Sequence, residues 1–144
     1  MSYATIRDYL KDRLLTLPGL GVVHTYDRWA ALVKLYVAND KFNGWHITRK
    51  ATQEDRAAEP VVDRDHTYEI VGIYALNDAA ASEKAFQELV EQVMALLRFD
   101  FDLGGHCQLA GPLKLRTLEP RMFGSVLCHV AVLELPAQER EMAP

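Results

Sequence analysis

The segment at residues 122–135 constrains the fold more than any other part of the chain, because apolar side chains occupy both of its sides. Successive side chains of an extended strand point to opposite faces of a sheet. One face would carry Phe123, Leu127, Ala131, Leu133 and Leu135, and the other Val126, Cys128, Val130 and Val132. A strand that is apolar on both faces is typical of a position covered from both sides. We therefore predict that this strand lies in the interior of a sheet.

Two other segments have the period of amphipathic helices. Residues 3–17 carry an apolar side chain at every third or fourth position, with Ser2 as the expected cap and Pro18-Gly19 as the expected stop. A longer helix is expected from the Asn77-Asp78 turn to Arg98. Its apolar stripe consists of Phe86, Leu89, Val90, Val93, Met94 and Leu97. Each helix therefore has one side that must be buried.

Shorter strands are predicted at residues 22–26, 44–50, 66–76 and 113–118, from alternating apolar residues and flanking turn residues. Gly72 lies within the third of these and marks either a bulge or a close packing contact. Residues 28–37 fit a helix or a strand equally well. This order of elements predicts an α+β fold, in which a mainly antiparallel sheet packs against two helices. The 144 residues fit one domain, residues 1–144.

Two segments have no useful apolar period. Residues 52–65 are densely charged and interrupted by Pro60, which predicts a long loop that is either mobile or functional. Residues 136–144 are mostly polar, which predicts a frayed tail. Both segments are therefore expected to lie outside the packed core.

Composition excludes several classes of function. The net charge of −4 argues against nucleic-acid recognition, which normally needs a basic surface. No apolar run approaches the ~20 residues of a membrane span. The amino terminus has no apolar signal region, so we expect a reducing cytoplasmic setting in which Cys107 and Cys128 are free thiols.

The cysteines and histidines suggest a metal or nucleophilic site only weakly. His106-Cys107 and Cys128-His129 contain the ligand types of a zinc site. Adjacent strand residues point to opposite faces, however, so neither pair can chelate one ion. Cys128 lies in an apolar strand, where burial raises a thiol pKa and weakens the nucleophile. We therefore expect no metal site and no catalytic cysteine.

Other candidate sites also have simpler interpretations. The carboxylates of residues 54–65 lack the order of a calcium loop and alternate with Arg56 and Arg64, so a solvated segment is expected. Gly104-Gly105 follows a helix instead of preceding one, which predicts a turn and not a phosphate-binding loop. Ser125 follows Gly124 but lacks the strand-to-helix turn of a hydrolase nucleophile. We expect no catalytic, cofactor-binding or metal-binding residue, and no enzymatic activity.

Four stretches together resemble a known family. Residues 74–91 combine the end of a strand, a short acidic turn and a helix with the pattern Phe86-Gln87-Glu88-Leu89. Residues 44–49, 102–105 and 123–131 are similar to the same group, so the resemblance covers most of residues 44–135. The group is the tail-terminator and tail-completion proteins of tailed phages and prophages, sometimes grouped with minor tail protein U.

This resemblance implies a virion structural protein and not an enzyme. Members have an α/β fold, form hexameric rings and cap the tail tube where it meets the head. The expected partners are further copies of the chain, a tail-tube protein and a head–tail connector protein, with assembly in the bacterial host cytoplasm and a final place in the virion. The alternative is a bacterial α+β module that binds a small ligand or protein, with Trp45 and Tyr68 lining its pocket.

Overall fold

The computed structural model of the protein describes residues 3–25, 37–38, 41–58, 60–76, 81–123 and 126–142. Within these residues the helices are α1 (Tyr3–Leu14) and α2 (Ser82–Leu97). The strands are β1 (Val22–His24), β2 (Val37–Ala38), β3 (Lys41–Ala58), β4 (Val61–Ala75), β5 (Leu109–Ala110), β6 (Lys114–Phe123) and β7 (Val126–Met142). The predicted caps at Ser2 and Asn77-Asp78, and most of the ambiguous segment 28–37, lie outside the described residues.

The strands form one mostly antiparallel sheet in the order β1-β3-β4-β7. Among the described strands, only β1 runs parallel to its neighbour, β3. On the far edge of β7, β6 pairs with residues 126–134 and β5 with Gln138 and Ala137. β2 pairs with the start of β3. The predicted α+β class, with a mainly antiparallel sheet and two helices, is confirmed.

Both helices pack against the same face of this sheet, which we call the helical face. From α1, Ile6, Leu10 and Leu14 are fully buried, and from α2, Phe86 and Val93 are buried with them. The sheet contributes the side chains that alternate toward the helices: Trp45, Ile47, Tyr68, Ile70, Ala131, Leu133, Leu135 and Ala137. This cluster is the main core of the protein.

β7 is apolar on both faces, as the sequence predicts, and it lies between β4 and β6. On the face opposite the helices, Cys128 and Val130 join Val71 and Ile73 in a second, smaller buried cluster. Because Ala131 and Leu133 belong to the main core, this one strand contributes to both clusters. The prediction of an interior strand is therefore confirmed for residues 126–135, whereas Met122 and Phe123, predicted in the same strand, end β6 and pair with Leu127 and Val126 of β7.

Within the described residues, the predictions of a mobile loop at residues 52–65 and a frayed tail at residues 136–144 are wrong, because nearly all of these residues lie in strands. Residues 52–58 continue β3, residues 61–65 continue β4, and both are hydrogen-bonded in one antiparallel ladder. Residues 136–142 continue β7 and pair with β4 as far as Val61. Glu59, Ala143 and Pro144 lie outside the described residues. The three strand ends, residues 51–58, 61–67 and 136–142, form what we call the arm.

The backbone hydrogen bonds between its strands and the pairs of polar side chains stabilise the arm. Burial of a wide apolar face does not. Apolar alternation is absent because the side chains on both faces of the arm are mainly charged or polar. Near its base, Ala137 and Glu139 are nevertheless buried, at 2% and 3% exposure. The carboxyl-terminal strand is therefore an integral part of the sheet.

Candidate functional site

The four residues of zinc-ligand type, His106, Cys107, Cys128 and His129, do not converge in the structure. Cys107 packs against the main core, whereas Cys128 is buried in the second cluster on the opposite face of the sheet. His129 alternates with Cys128 and stacks on Phe86 of α2, on the helical face. Within the described residues, no three His, Cys, Asp or Glu side chains lie close enough together to hold a metal ion.

Neither thiol is placed as a nucleophile. Burial raises the pKa of Cys128 to about 11. Burial also raises the pKa of Cys107 to about 11, and the negative charges of Asp102, Glu139 and Asp100 add to this effect. A thiol with such a pKa is almost entirely protonated at neutral pH, and the thiolate is the reactive form. The placement therefore favours structural cysteines.

The acidic segment predicted as a solvated loop is a set of cross-strand pairs. Its paired carboxylates and their partners are Glu54 with Arg64, Asp63 with Arg140, and Asp65 with Gln138. The hydrogen bonds and charge of Arg140 hold the pKa of Asp63 below its ordinary value. Because these oxygens already accept hydrogen bonds from side chains on neighbouring strands, they act as ties between the strands of the arm.

Trp45 and Tyr68, the proposed lining of a ligand pocket, are both fully buried in the main core. Trp45 lies 6.0 Å from Phe86 between ring centroids. Side chains without exposed surface contribute to packing and do not line an open pocket. The binding-module alternative therefore loses its predicted site, although it keeps other cavities.

Two groups of hydrogen-bonded polar side chains could not be inferred from the sequence. Ser82 at the start of α2 lies with its Oγ 2.8 Å from Nε2 of His129, and both side chains are buried. In the arm, Thr52 Oγ1 lies 2.8 Å from Nδ1 of His66, whose Nε2 lies 2.8 Å from Oε1 of Glu139. The members of each group come from segments far apart in the sequence, so only the fold brings them together.

The second group has the order of a catalytic hydroxyl, imidazole and carboxylate. Acyl-transfer enzymes also need converging backbone N–H groups to stabilise the oxyanion. Thr52 is the direct cross-strand partner of His66 in the β3–β4 ladder, where backbone N–H groups lie in the plane of the sheet and not beside the side-chain hydroxyl. This geometry favours a structural polar network over a hydrolytic site.

A row of exposed apolar side chains follows β6 at the edge of the sheet. Four large apolar side chains there, between 37% and 57% exposed, are Leu115, Leu118, Met122 and Leu127. Their cross-strand registers place all four on the helical face, beyond the area covered by α1 and α2. We call them the β6 strip. Among the described residues, β6 pairs only with β7, so its outer edge also carries unpaired backbone groups.

A groove separates the β6 strip from α2. It encloses about 350 Å³ and is lined by Phe86 and Gln87 on the helix side and by Leu118 and Pro120 on the β6 side, with His129 among the remaining residues. Contiguous apolar surface at a sheet edge is typical of protein–protein contacts. The strip and groove are therefore the best candidate for a functional surface.

One sequence signal indicates this surface. Along β6 the apolar positions change from Leu113 and Leu115 to Leu118 and Met122, a step of three residues where strict alternation requires two. The structure has a register shift between Leu115 and Thr117, so the extra residue is a β-bulge that keeps the leucines on one face. Exposure of that face could not be inferred, because it depends on where α2 lies.

A comparison with models of known protein families finds none that matches the chain, and a comparison with curated proteins finds no matching relative. Neither helix in the described part of the chain has the length and apolar character needed to cross a membrane.

Proposed function

We propose that the protein is a virion structural protein of a phage or prophage, which forms a ring that caps the tail tube and joins it to the head. The observation that carries this proposal is the β6 strip, an uncovered apolar surface on an edge strand. The similarity of residues 44–135 to tail-terminator proteins supplies the type of assembly. The protein acts through contacts with its own copies, a tail-tube protein and a head–tail connector.

The free energy gained by burying the β6 strip decides how much it can contribute to an interface. Full burial of one Leu or Met side chain contributes about 1.5–3 kcal/mol, and these four side chains are already about half buried. Covering the strip therefore contributes roughly 4 kcal/mol, which is at the low end of the estimated cost of association. A stable contact needs further area, up to about 800 Å² per partner.

The arm is the other large surface available for that contact. Residues 51–56 and 58 of β3 are exposed, and in the described part of the chain β1 pairs with residues 44–46 of the same strand and not with its arm. Since the arm is already folded, its use in an interface avoids the backbone ordering cost of about 1–2 kcal/mol per residue that a mobile loop would incur. A preformed arm is thus favourable for assembly.

A ring requires two different surfaces on each subunit. In a head-to-tail contact, one patch meets a distinct patch on the next copy, and a suitable rotation closes the ring. The β6 strip and the arm edge of β3 lie on opposite sides of the sheet order, which matches this requirement. We propose that the strip of one subunit contacts the β3 side of its neighbour.

Electron microscopy of the purified protein at increasing concentration tests this proposal. We expect closed rings of uniform subunit number, and rings at one end of tail tubes when a cognate tube protein is added. Open filaments, or particles that stay monomeric, would contradict ring closure.

The second candidate is a bacterial α+β module that binds a small ligand or a protein. The groove of about 350 Å³ between α2 and β6 favours it, because a single ligand could occupy that space. This candidate predicts a monomer at every concentration. A library of small compounds can be screened for those that raise the melting temperature of the protein. A hit that no longer stabilises Leu118→Glu, together with a wild type that stays monomeric, would support the binding module over the ring.

A further inference from the structure

Two edges of the sheet carry no neighbouring strand in the described part of the chain. One is the outer edge of β6, since β6 pairs only with β7. The other is the arm part of β3, residues 51–58, which pairs with β4 and lies beyond the residues that pair with β1. The side chains on both segments are almost all exposed. An exposed strand edge of this length is a template for pairing with another chain.

The two edges run in opposite directions. β3, β4, β7 and β6 are antiparallel neighbours in that order, so three reversals of direction separate β3 from β6. A second copy beside the first, in the same orientation, therefore presents its β3 antiparallel to β6, with the helical faces of both copies on one side. Such a contact continues the antiparallel sheet and leaves a free edge at each end, as a head-to-tail assembly requires.

Alternate residues of β6 direct their backbone groups away from β7. In β7, the carbonyl oxygen of Leu127 accepts a hydrogen bond from the N–H of Leu76, which follows β4, so the backbone groups of Leu127 face β4. Its partner on the other side, Met122, therefore lies at a position of the β6–β7 ladder without hydrogen bonds, and its own N–H and C=O point outward. At the next positions of the same kind, Pro120 and Leu118 also point outward, although Pro120 has no N–H to donate.

The same alternation applies to the arm part of β3. Since the N–H of Leu76 faces β7, the even-numbered residues of β4 direct their backbone groups toward β7 and the odd-numbered ones toward β3. Thr52 and Glu54 are the partners of the even-numbered residues His66 and Arg64, so their own N–H and C=O groups point outward. Both free edges therefore carry regularly spaced backbone donors and acceptors.

Each edge also carries one exposed charge without an ion pair among the described residues, Lys114 on β6 and Asp55 on β3. The cross-strand partner of Asp55 is a second carboxylate, Asp63, which already binds Arg140. Lys114 is the cross-strand partner of Glu134, and Glu134 and Asp63 both lie on the face opposite the helices, so Lys114 and Asp55 share that face. Charge favours β3 over a second β6 as the partner, because β6 itself carries three cations and one carboxylate.

We propose that β6 of one subunit pairs antiparallel with the arm part of β3 in the next, with Lys114 opposite Asp55. Arg116 is the extra residue of the β6 bulge, so this register places Leu118 opposite Thr52 and brings the outward backbone groups of both residues together. Both of these side chains lie on the helical face, so the pairing also covers part of the β6 strip. The inference rests on the proposed ring and specifies the contact between its subunits, one sheet that continues around the ring.

Hydrogen exchange of single amides, compared between the assembled protein and the dilute monomer by nuclear magnetic resonance, tests the backbone pairing. The amides of Leu118, Thr52 and Glu54 should exchange at least about a hundredfold more slowly in the oligomer than in the monomer. The amide of Glu119, which faces β7, should be protected in both and is the internal control.

The outcomes separate this contact from the ring itself. Closed rings in which Leu118 and Thr52 stay unprotected would overturn the strand pairing and leave the proposed function standing. Protection of Leu118 without Thr52 would show that β6 pairs with a second β6, which also overturns it. A chain that stays monomeric at every concentration would contradict the pairing and the ring together.

Reversal of the charge pair tests the register. Lys114→Glu and Asp55→Lys should each raise the concentration of half-assembly at least about threefold, because each places like charges opposite one another. The double variant should assemble like the wild type. Lys84→Glu, at an exposed lysine of α2, makes the same change of charge outside the contact and should have no effect. A double variant that assembles no better than the single variants would overturn the pairing of Lys114 with Asp55.

Discussion

Arg140 of β7 donates two hydrogen bonds to Asp63 of β4, from Nε to Oδ1 at 2.7 Å and from Nη2 to Oδ2 at 3.1 Å. The two residues are direct cross-strand partners in the ladder of the arm. A bidentate guanidinium–carboxylate pair restricts geometry more than a single contact does. This pair therefore holds the carboxyl-terminal strand in register beside β4.

Asp63→Asn should loosen the arm without unfolding the domain. The amide can accept only one of the two hydrogen bonds and carries no charge, so residues 61–65 and 138–142 should lose protection from hydrogen exchange. Residues 70–73 should keep theirs, because the main core holds them. Glu119→Gln, which alters the exposed pair with Arg121 on β6, is the control. Unchanged exchange in the arm of Asp63→Asn would show that the backbone ladder alone holds it.

Gly72 and Trp45 make a packing contact that allows no side chain at residue 72. They are cross-strand partners, and a Cβ at Gly72 would lie 2.6–2.7 Å from three atoms of the indole ring. Because Trp45 is fully buried, the ring has no free space to move into. Gly72→Ala should therefore lower the free energy of unfolding by about 1–3 kcal/mol in urea denaturation.

A smaller ring at residue 45 should relieve that clash. In the double variant Gly72→Ala with Trp45→Phe, the two effects should not add, and the coupling free energy should be favourable by at least about 0.5 kcal/mol. Additive losses would mean that Gly72 is required for its backbone conformation and not for the contact with Trp45.

His46 should make the protein sensitive to acid. Burial and the charge of His24 lower the pKa of His46 from 6.5 to about 4. As the pH falls, His46 is therefore protonated in the unfolded chain before it is protonated in the folded protein. Its contribution to the free energy of unfolding is fully present above pH 6.5 and is lost as the pH drops toward 4. At about 1.4 kcal/mol per pH unit, the loss is about 3 kcal/mol. Between pH 6.5 and pH 4, the free energy of unfolding measured in urea should fall by about 3 kcal/mol less in His46→Gln than in the wild type. An equal fall in the two proteins would contradict the lowered pKa of His46.

Both thiols should react slowly in the folded protein. With pKa values of about 11, Cys107 and Cys128 are protonated at pH 8, and Cys128 is also fully buried. Dithionitrobenzoate should label Cys128 only when the chain unfolds, so that the labelling rate equals the unfolding rate measured in urea. Cys107 should be labelled faster than Cys128. Rapid labelling of Cys128 in native buffer would contradict its placement as a buried, protonated thiol.

The sequence predicts well those elements in which buried and exposed side chains recur at a regular spacing. α1 and α2 are examples, since their apolar spacing alone identifies the side that the main core buries, whereas β7 is apolar on both faces and its spacing predicts only that it is covered from both sides. The arm has no such period. Its strands are joined by backbone pairing and by partners such as Asp63 and Arg140, which are 77 residues apart in the sequence. The local sequence of such a charged segment therefore predicts a loop, although the residues form a strand.

The candidate site could be predicted only in part. The step from Leu115 to Leu118 indicates a bulge, and the apolar character of β6 is evident from the sequence. Whether these leucines are buried depends on how much of the helical face α1 and α2 cover, which is a property of the packed fold. The pair of Ser82 and His129 likewise depends on α2 starting beside β7.

Sedimentation velocity across a range of concentrations tests self-association through the β6 strip most directly. We compare the wild type with Leu118→Glu and with the control Leu15→Glu, which places the same charge at another half-exposed leucine, after α1. The wild type and Leu15→Glu should convert to one discrete oligomer, whereas Leu118→Glu should remain monomeric with an unchanged circular dichroism spectrum. A wild type that stays monomeric, or a Leu118→Glu variant that assembles equally well, would contradict assembly through this surface.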